Sequence, residues 1–267
     1  MAPAIEVRIM YSMSTNAGAG LAGYWARAAL DVLLPASCPI CQTAISGEAP
    51  LCPACFSELN ALMDTPACPR CAQSVAPFGV QDGTCAQCRG LGSPLECVVR
   101  AGPYRERFAL ALRRFKFGGQ EDLDRFFSDA LIERLRARDW IGSLDAVTAV
   151  PTCWRHALTR RHYVPLVIAR RVASSLRVPL EPLLRRRFGP HQLGLTRSER
   201  PQNVRGVFRI VPRTQLAGAA ILLVDDVATT ASTLTECART LRRSGAAKVY
   251  GAVLARVASD AQPLADI

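Results

Sequence analysis

The chain has 267 residues, enough to bury a full core and to hold more than one domain. No apolar run approaches the roughly 20 residues of a membrane span, and Glu6 and Arg8 interrupt any secretory pattern at the start, so the expected location is the cytoplasm. Lys and Arg number 33 against 22 Asp and Glu, and the resulting formal charge of +11 argues against cationic partners and for anionic ones. Residues 1–35 read as an N-terminal extension. Within it, 21–34 suits a short amphipathic helix, with Arg27 and Asp31 on its polar side, that packs on the body of the protein.

Residues 36–95 are Cys-rich. Eight of the 11 cysteines form four C-x-x-C pairs: Cys38/Cys41, Cys52/Cys55, Cys68/Cys71 and Cys85/Cys88. An odd total in a chain without an export signal argues against a disulfide framework. A C-x-x-C turn aims two thiolates at one ion, and two such turns complete a tetrahedral S₄ site. Four pairs therefore predict two structural zinc ions. Sequential pairing is the simplest, with crossed pairing as the alternative; redox-active thiols and an iron–sulfur cluster are the rival chemistries. The segment has few large apolar residues, so metal binding would supply the stability that its own core cannot. Cys97, Cys153 and Cys237 stand alone, and Cys237 is expected in the core.

Residues 96–267 read as an α/β domain. The expected elements are a strand over 96–104, helices over 105–117 and 122–138, and a short buried strand over 146–151. A helix over 162–176 follows, with Pro165 in its first turn. Next come a long polar loop over 186–206, a strand over 206–211, a strand over 219–225, a helix over 231–244 and a strand over 248–255. Strands alternating with helices predict a parallel sheet. Between Pro151 and Arg213 stand 14 Arg and no Lys, against Glu181 and Glu199, a net of +12. A small polyphosphate or a nucleic-acid backbone would suit that stretch.

The run from Ala220 to Leu234 is the most informative. An apolar strand ends in Asp225 and Asp226, and a loop of small and hydroxyl residues then leads into a helix. The helix start offers unpaired backbone N–H groups and a positive dipole end to a phosphate. Ala228, Thr229, Thr230, Ala231, Ser232 and Thr233 form the candidate binding loop. Asp225 and Asp226 can accept hydrogen bonds from sugar hydroxyls, directly or through hydrated Mg²⁺. Open α/β sheets bind ligands at this end of their strands. The run resembles the phosphoribosyl pyrophosphate (PRPP) motif of type I phosphoribosyltransferases, with Ala231 where Gly is usual.

Four C-x-x-C pairs followed by this motif are similar to the ComF family, the ComF/GntX-like double-zinc-ribbon, phosphoribosyltransferase-like proteins. The resemblance runs from about residue 33 onward. It is carried by Tyr104 with Leu112-Arg-Arg-Phe-Lys-Phe-Gly118, by Val150-Pro151 with Arg155 and Arg161, and by the stretch from Gln192 to Phe208. It implies a type I phosphoribosyltransferase-like parallel sheet flanked by helices, preceded by a small zinc-ribbon domain. It also implies Mg²⁺–PRPP as ligand, with Asp225 and Asp226 on the ribose hydroxyls, the 229–233 loop on the 5′-phosphate, and Arg155, Arg161 and Lys116 toward pyrophosphate. The 186–206 segment would be a hood over the ligand. The chain departs from the family where Arg161-His-Tyr-Val-Pro165 replaces an R-G-F-N-Q pattern.

ComF-type proteins are associated with natural transformation. Three readings follow: a phosphoribosyl transferase; a single-stranded DNA-binding protein using the Arg-rich stretch and ribbons, with Trp154 and Tyr163 as stacking residues; and a PRPP sensor coupled to a competence-protein partner. The two departures favour the second and third readings, and the intact aspartate pair favours ligand binding in some form. His156 and His162 lie where they can contact phosphate, and His191 opens the hood.

Overall fold

The computed structural model describes residues 37–45, 49–90, 92–118, 121–151, 163–187 and 206–258. The expected N-terminal helix, Cys153, Trp154, the three histidines and most of the hood lie outside them. Along the chain come α1 (Pro53–Met63), the short hairpin strands β1 (Val80–Gln81) and β2 (Thr84–Cys85), β3 (Val98–Pro103), α2 (Glu106–Gly118) and α3 (Glu121–Arg136). A 3₁₀ turn at Asp139–Ser143 leads into β4 (Ala146–Ala149) and α4 (Val164–Leu176). The chain continues through β5 (Leu184–Arg186), β6 (Phe208–Ile210), β7 (Ala220–Ala228), α5 (Ser232–Arg243) and β8 (Lys248–Arg256).

The central sheet has the order β3-β8-β7-β4, and every neighbouring pair is parallel. Parallel sheets are covered on both faces, and the side chains of β7 alternate accordingly. Leu222 and Val224 join Ala252 and Leu254 on the face packed by α2, α3 and α4. Ile221 and Leu223 join Val249 and Val253 on the face packed by α5 and the β5–β6 hairpin. Gly102 permits this closeness at the β3 edge: a Cβ there would meet the Phe108 ring at 2.5 Å.

Three findings differ from the sequence-based expectations, the first being that β6 leaves the parallel sheet and pairs antiparallel with the unexpected β5 in a separate hairpin. The motif strand continues through both aspartates to Ala228, because β8 pairs with it that far. The Cys-rich segment also contains a helix, α1, which the C-x-x-C spacing hides. Pro53 sits in its first turn, and the Cys52 sulfur caps it by accepting from the Cys55 N–H. Leu59, Leu62 and Met63 of α1 are buried in the same apolar cluster as α2 and α3, with Phe56 edge-on to Phe126 at 6.0 Å. The ribbon thus borrows the core of the α/β domain, which answers its own lack of large apolar residues.

Candidate functional site: two four-cysteine clusters behind an acidic strand tip

The eight paired cysteines gather into two groups, Cys38/Cys41/Cys52/Cys55 and Cys68/Cys71/Cys85/Cys88, each with its sulfur atoms within 4.8 Å of one another. The pairing is sequential. Four sulfurs around one zinc at about 2.3 Å stand about 3.8 Å apart. The Cys41–Cys52 and Cys71–Cys85 sulfur separations are 3.5 and 3.7 Å, so the donor set fits zinc and leaves no open position for a substrate. The first pair of each cluster is built alike. Gln42 and Ala72, each directly after a C-x-x-C, take left-handed backbone with φ of 65° and 60°. Their N–H groups donate to the Cys38 and Cys68 carbonyls.

Each cluster is fastened to a different part of the α/β domain. Arg107 on α2 donates to the Cys55 sulfur at 3.6 Å, and Arg114 donates to the Pro39 carbonyl at 2.9 Å. On the other side Arg100 of β3, 5% exposed, donates to the Ala72 carbonyl and the Ser74 hydroxyl at 2.9 and 2.8 Å. Arginine in such numbers at this seam carried no periodicity that sequence reading could find.

The acidic tip lies in a notch. β4 stops with Ala149 opposite Val224, whereas β7 runs on to Ala228 against β8 alone. Asp225 and Asp226 occupy this overhang. Their carboxylates accept from the next N–H along the chain, Asp226 N–H to Asp225 Oδ1 at 2.9 Å and Val227 N–H to Asp226 Oδ1 at 2.6 Å. Asp226 then pairs with Lys116 at the end of α2, Nζ to Oδ2 2.7 Å. Asp225 stands instead beside α5, where its charge acts on the buried Cys237 thiol, itself pushed well above its ordinary value by burial. Burial first, and then the neighbouring Asp226 charge, push the Asp225 carboxyl up to about 8. The Asp226 N–H and Lys116 offset only part of that rise.

Beyond the tip the chain turns through Thr229 and Thr230, both exposed, into α5. Ala231 holds the N-cap position in left-handed conformation, φ 58° and ψ 12°, and offers no side-chain cap. A methyl group sits where glycine would be free of strain. Thr230 and Ser232 share a hydroxyl hydrogen bond of 2.8 Å, and Thr230 Oγ1 accepts from the Ser232 N–H at 3.4 Å. Ser232 and Thr233 lie half-buried in the first turn. The loop's start is held by Arg256, whose Nη1 donates to the Ala228 carbonyl at 3.0 Å and to the Thr229 carbonyl.

The structure therefore brings Asp225, Asp226, Lys116 and the 228–233 loop to one sheet edge. Arg155 and Arg161 lie outside the described residues. Sequence reading missed Arg256, 27 residues beyond the loop it holds, because an arginine ending an apolar strand reads as an exposed terminus.

The acidic strand tip and the start of α5 thus lie together at the carboxyl edge of a parallel sheet, where open α/β sheets bind ligands. A phosphoribosyl transferase domain model matches residues 165–266, and a double zinc ribbon domain model matches residues 29–89. The ComF-type resemblance is borne out by relatives aligned over most of both chains. Competence protein F of Haemophilus influenzae is 26% identical over 77% of this chain and 90% of its own length. DNA utilization protein YhgH of Escherichia coli O157:H7 is 27% identical over 81% of this chain and 95% of its own. Among solved structures, glutamine phosphoribosylpyrophosphate amidotransferase of B. subtilis aligns at 20% identity and a TM-score of 0.34, over 49% of this chain. The chain spans only 25% of that enzyme's length. Among the described residues no helix is long and apolar enough to cross a membrane.

Proposed function

We propose that residues 96–267 form one domain that binds Mg²⁺–PRPP, or a close phosphorylated-sugar relative, at the β7 tip and transfers or senses its phosphoribosyl group. The observation that carries this reading is the uncapped start of α5 directly behind two carboxylates. The α5 N–H groups and the Thr229, Thr230, Ser232 and Thr233 hydroxyls would hold the 5′-phosphate, with the helix dipole favouring its charge. Asp225 and Asp226 would accept from the ribose hydroxyls. Lys116 would exchange its bond to Asp226 for one to a pyrophosphate oxygen, together with Arg155 and Arg161. In transfer, the C1′–oxygen bond to pyrophosphate breaks as a bond to the acceptor forms. The protein's part is positioning and charge stabilisation. Mg²⁺ would neutralise the pyrophosphate. A reducing cytoplasm suits eight metal-binding thiolates.

Titration calorimetry of the zinc-loaded chain with Mg²⁺–PRPP tests the reading, beside the double variant Asp225→Asn/Asp226→Asn. Heat from the wild type alone is expected. A folded wild type that gives no heat at millimolar ligand would sink it.

A second reading has its own observation. Arg185 and Arg209 stand directly opposite in the β5–β6 hairpin, both exposed, and Arg186 and Arg187 follow. Like charges facing across a strand pair destabilise it, and a polyanion relieves the repulsion. The relatives named for competence and DNA utilization suit single-stranded DNA there, with a role in DNA uptake and a competence-protein partner. On this reading Arg185→Gln/Arg209→Gln lowers the salt slope of DNA binding by about 1 to 1.5, at roughly 0.7 for each phosphate no longer neutralised. An unchanged slope removes the hairpin from the interface.

A further inference from the structure

A cavity of about 440 Å³ opens at the amino end of the sheet, where β4 and β7 begin. Its volume falls within the roughly 300–1,000 Å³ usual for small-molecule sites. Ala146 and Ile221, paired at the start of β4 and β7, form its apolar floor together with Leu183 and Leu216. All four are buried. Asp225 lies further along β7, about 13 Å away at roughly 3.3 Å per residue, so the cavity is separate from the acidic tip.

The walls are tied in place by the backbone. Val147 N–H donates to the Pro179 carbonyl at 2.8 Å, Glu181 N–H to the Val147 carbonyl at 2.9 Å, and Val211 N–H to the Leu183 carbonyl at 3.0 Å. Pro179, Pro182 and Pro212 fix φ along them. A ligand therefore orders little of the chain on entering, which favours binding.

Both signs of charge line the same walls, as Asp145, Glu181 and Arg213. Among the described residues none of the three forms an ion pair with another, and Glu181 and Arg213 have no other ionic partner. Asp145 accepts from the Ala220 N–H at 2.8 Å, which uses one of its two oxygens. Arg213 is held in a strained turn. Thr214 N–H closes the turn on the Val211 carbonyl at 3.3 Å, with Pro212 second and Arg213 third at φ 67°. That is the pattern of a type II turn, whose third position suits glycine. An arginine there strains the backbone, and among the described residues no ion pair or hydrogen bond of its side chain offsets the strain.

We propose that this cavity is a binding site for a free apolar α-amino acid. The ligand's carboxylate takes the Arg213 guanidinium, whose fork matches it in two bonds. Its ammonium lies between Asp145 and Glu181, and its side chain covers the floor. A ligand of one sign only would meet like charge on one wall; a zwitterion meets opposite charge on both. The inference stands apart from the sugar-phosphate reading, and neither depends on the other.

The test is titration calorimetry of the full zinc-loaded chain with L-leucine and L-phenylalanine, beside isocaproate and isoamylamine. These two are leucine without its ammonium and leucine without its carboxylate. Saturable heat with at least one amino acid is expected, with both analogues at least tenfold weaker than leucine or silent. Amide exchange over 180–183 and 213–216 slows when the amino acid is bound. Arg213→Gly relieves the turn, so the free variant should melt at or above the wild-type temperature. Its affinity for the amino acid should fall by about tenfold or more, the scale of one charged hydrogen bond.

A folded wild type that gives no heat at millimolar amino acid overturns the proposal. So does an analogue that binds as tightly as the amino acid, or an Arg213→Gly variant that keeps wild-type affinity. Exchange that slows only outside the two windows places the ligand elsewhere and also overturns it. If Arg213→Gly does not fold, Arg213→Gln is read in its place.

Discussion

Lys116 and Asp226 join the last turn of α2 to the overhang of β7 through a 2.7 Å ion pair, with their side chains 18% and 19% exposed. Such a pair is partly desolvated, so removing one partner leaves the other charge poorly compensated. Lys116→Met is expected to lower stability by about 1–2 kcal/mol, and Asp226→Asn by a similar amount. The double variant should lose less than the sum, with a coupling energy of about 1 kcal/mol in urea unfolding. Strict additivity would show that the pair contributes nothing to the fold.

Asp225 makes the opposite prediction. Its carboxyl is pushed up to about 8 from an ordinary value of 3.8. Between those values the folded chain keeps a proton that the unfolded chain has released. Stability therefore falls as pH rises toward 8. Asp225→Asn should flatten that slope and raise stability at pH 8, by on the order of 1–2 kcal/mol given the partial exposure of the site. Urea midpoints at pH 6, 7 and 8 check this. Parallel slopes in wild type and variant would refute it.

Ala231 carries strain of a known size. A left-handed backbone costs a non-glycine residue about 1–2 kcal/mol, and glycine returns part of that gain as extra unfolded-state entropy. Ala231→Gly should therefore stabilise the chain by about 0.5–1 kcal/mol. If the loop holds a phosphate, the variant should also bind PRPP more tightly, since the backbone can approach more closely. A lower melting temperature for Ala231→Gly would contradict the assignment of strain here.

The two sulfur clusters predict two zinc ions per chain, released on thiol modification and counted with a colorimetric chelator. Structural sites of this kind contribute apparent binding energies of about 10–16 kcal/mol each. Metal removal should therefore expose α1 and the core residues Leu59, Leu62 and Met63 to solvent, seen as increased dye binding. Release of a single equivalent would leave one cluster as a thiol group without metal.

Repeating patterns were legible in the sequence. C-x-x-C spacing points to both clusters, because a turn of that length places two sulfurs together whatever surrounds it, and their sequential pairing is the simplest of the arrangements it allows. The apolar run from Ala220 locates β7 and its carboxylates. What stayed hidden was long-range and lacked a period. α1 sits between two cysteine pairs, where metal-site spacing masks its helical pattern. Arg100 is buried for reasons that appear only when the ribbon is docked on the sheet, and Arg256 because it reaches the carbonyls where the neighbouring strand β7 ends. Through the family resemblance Lys116 read as a pyrophosphate ligand, and its pairing with Asp226 depends on how α2 packs. Ala231 was legible as a departure, and its φ of 58° shows why glycine is usual there.

The mismatch in strand length divides the labour within β7. Residues up to Val224 are gripped on both sides, by β4 and β8, and their identity is fixed by folding. The overhang beyond them answers to one neighbour only, so substitutions there alter chemistry while the sheet stays intact. The sequence can thus vary at Asp225, Asp226 and Val227 without disturbing the part of the strand that both neighbours grip.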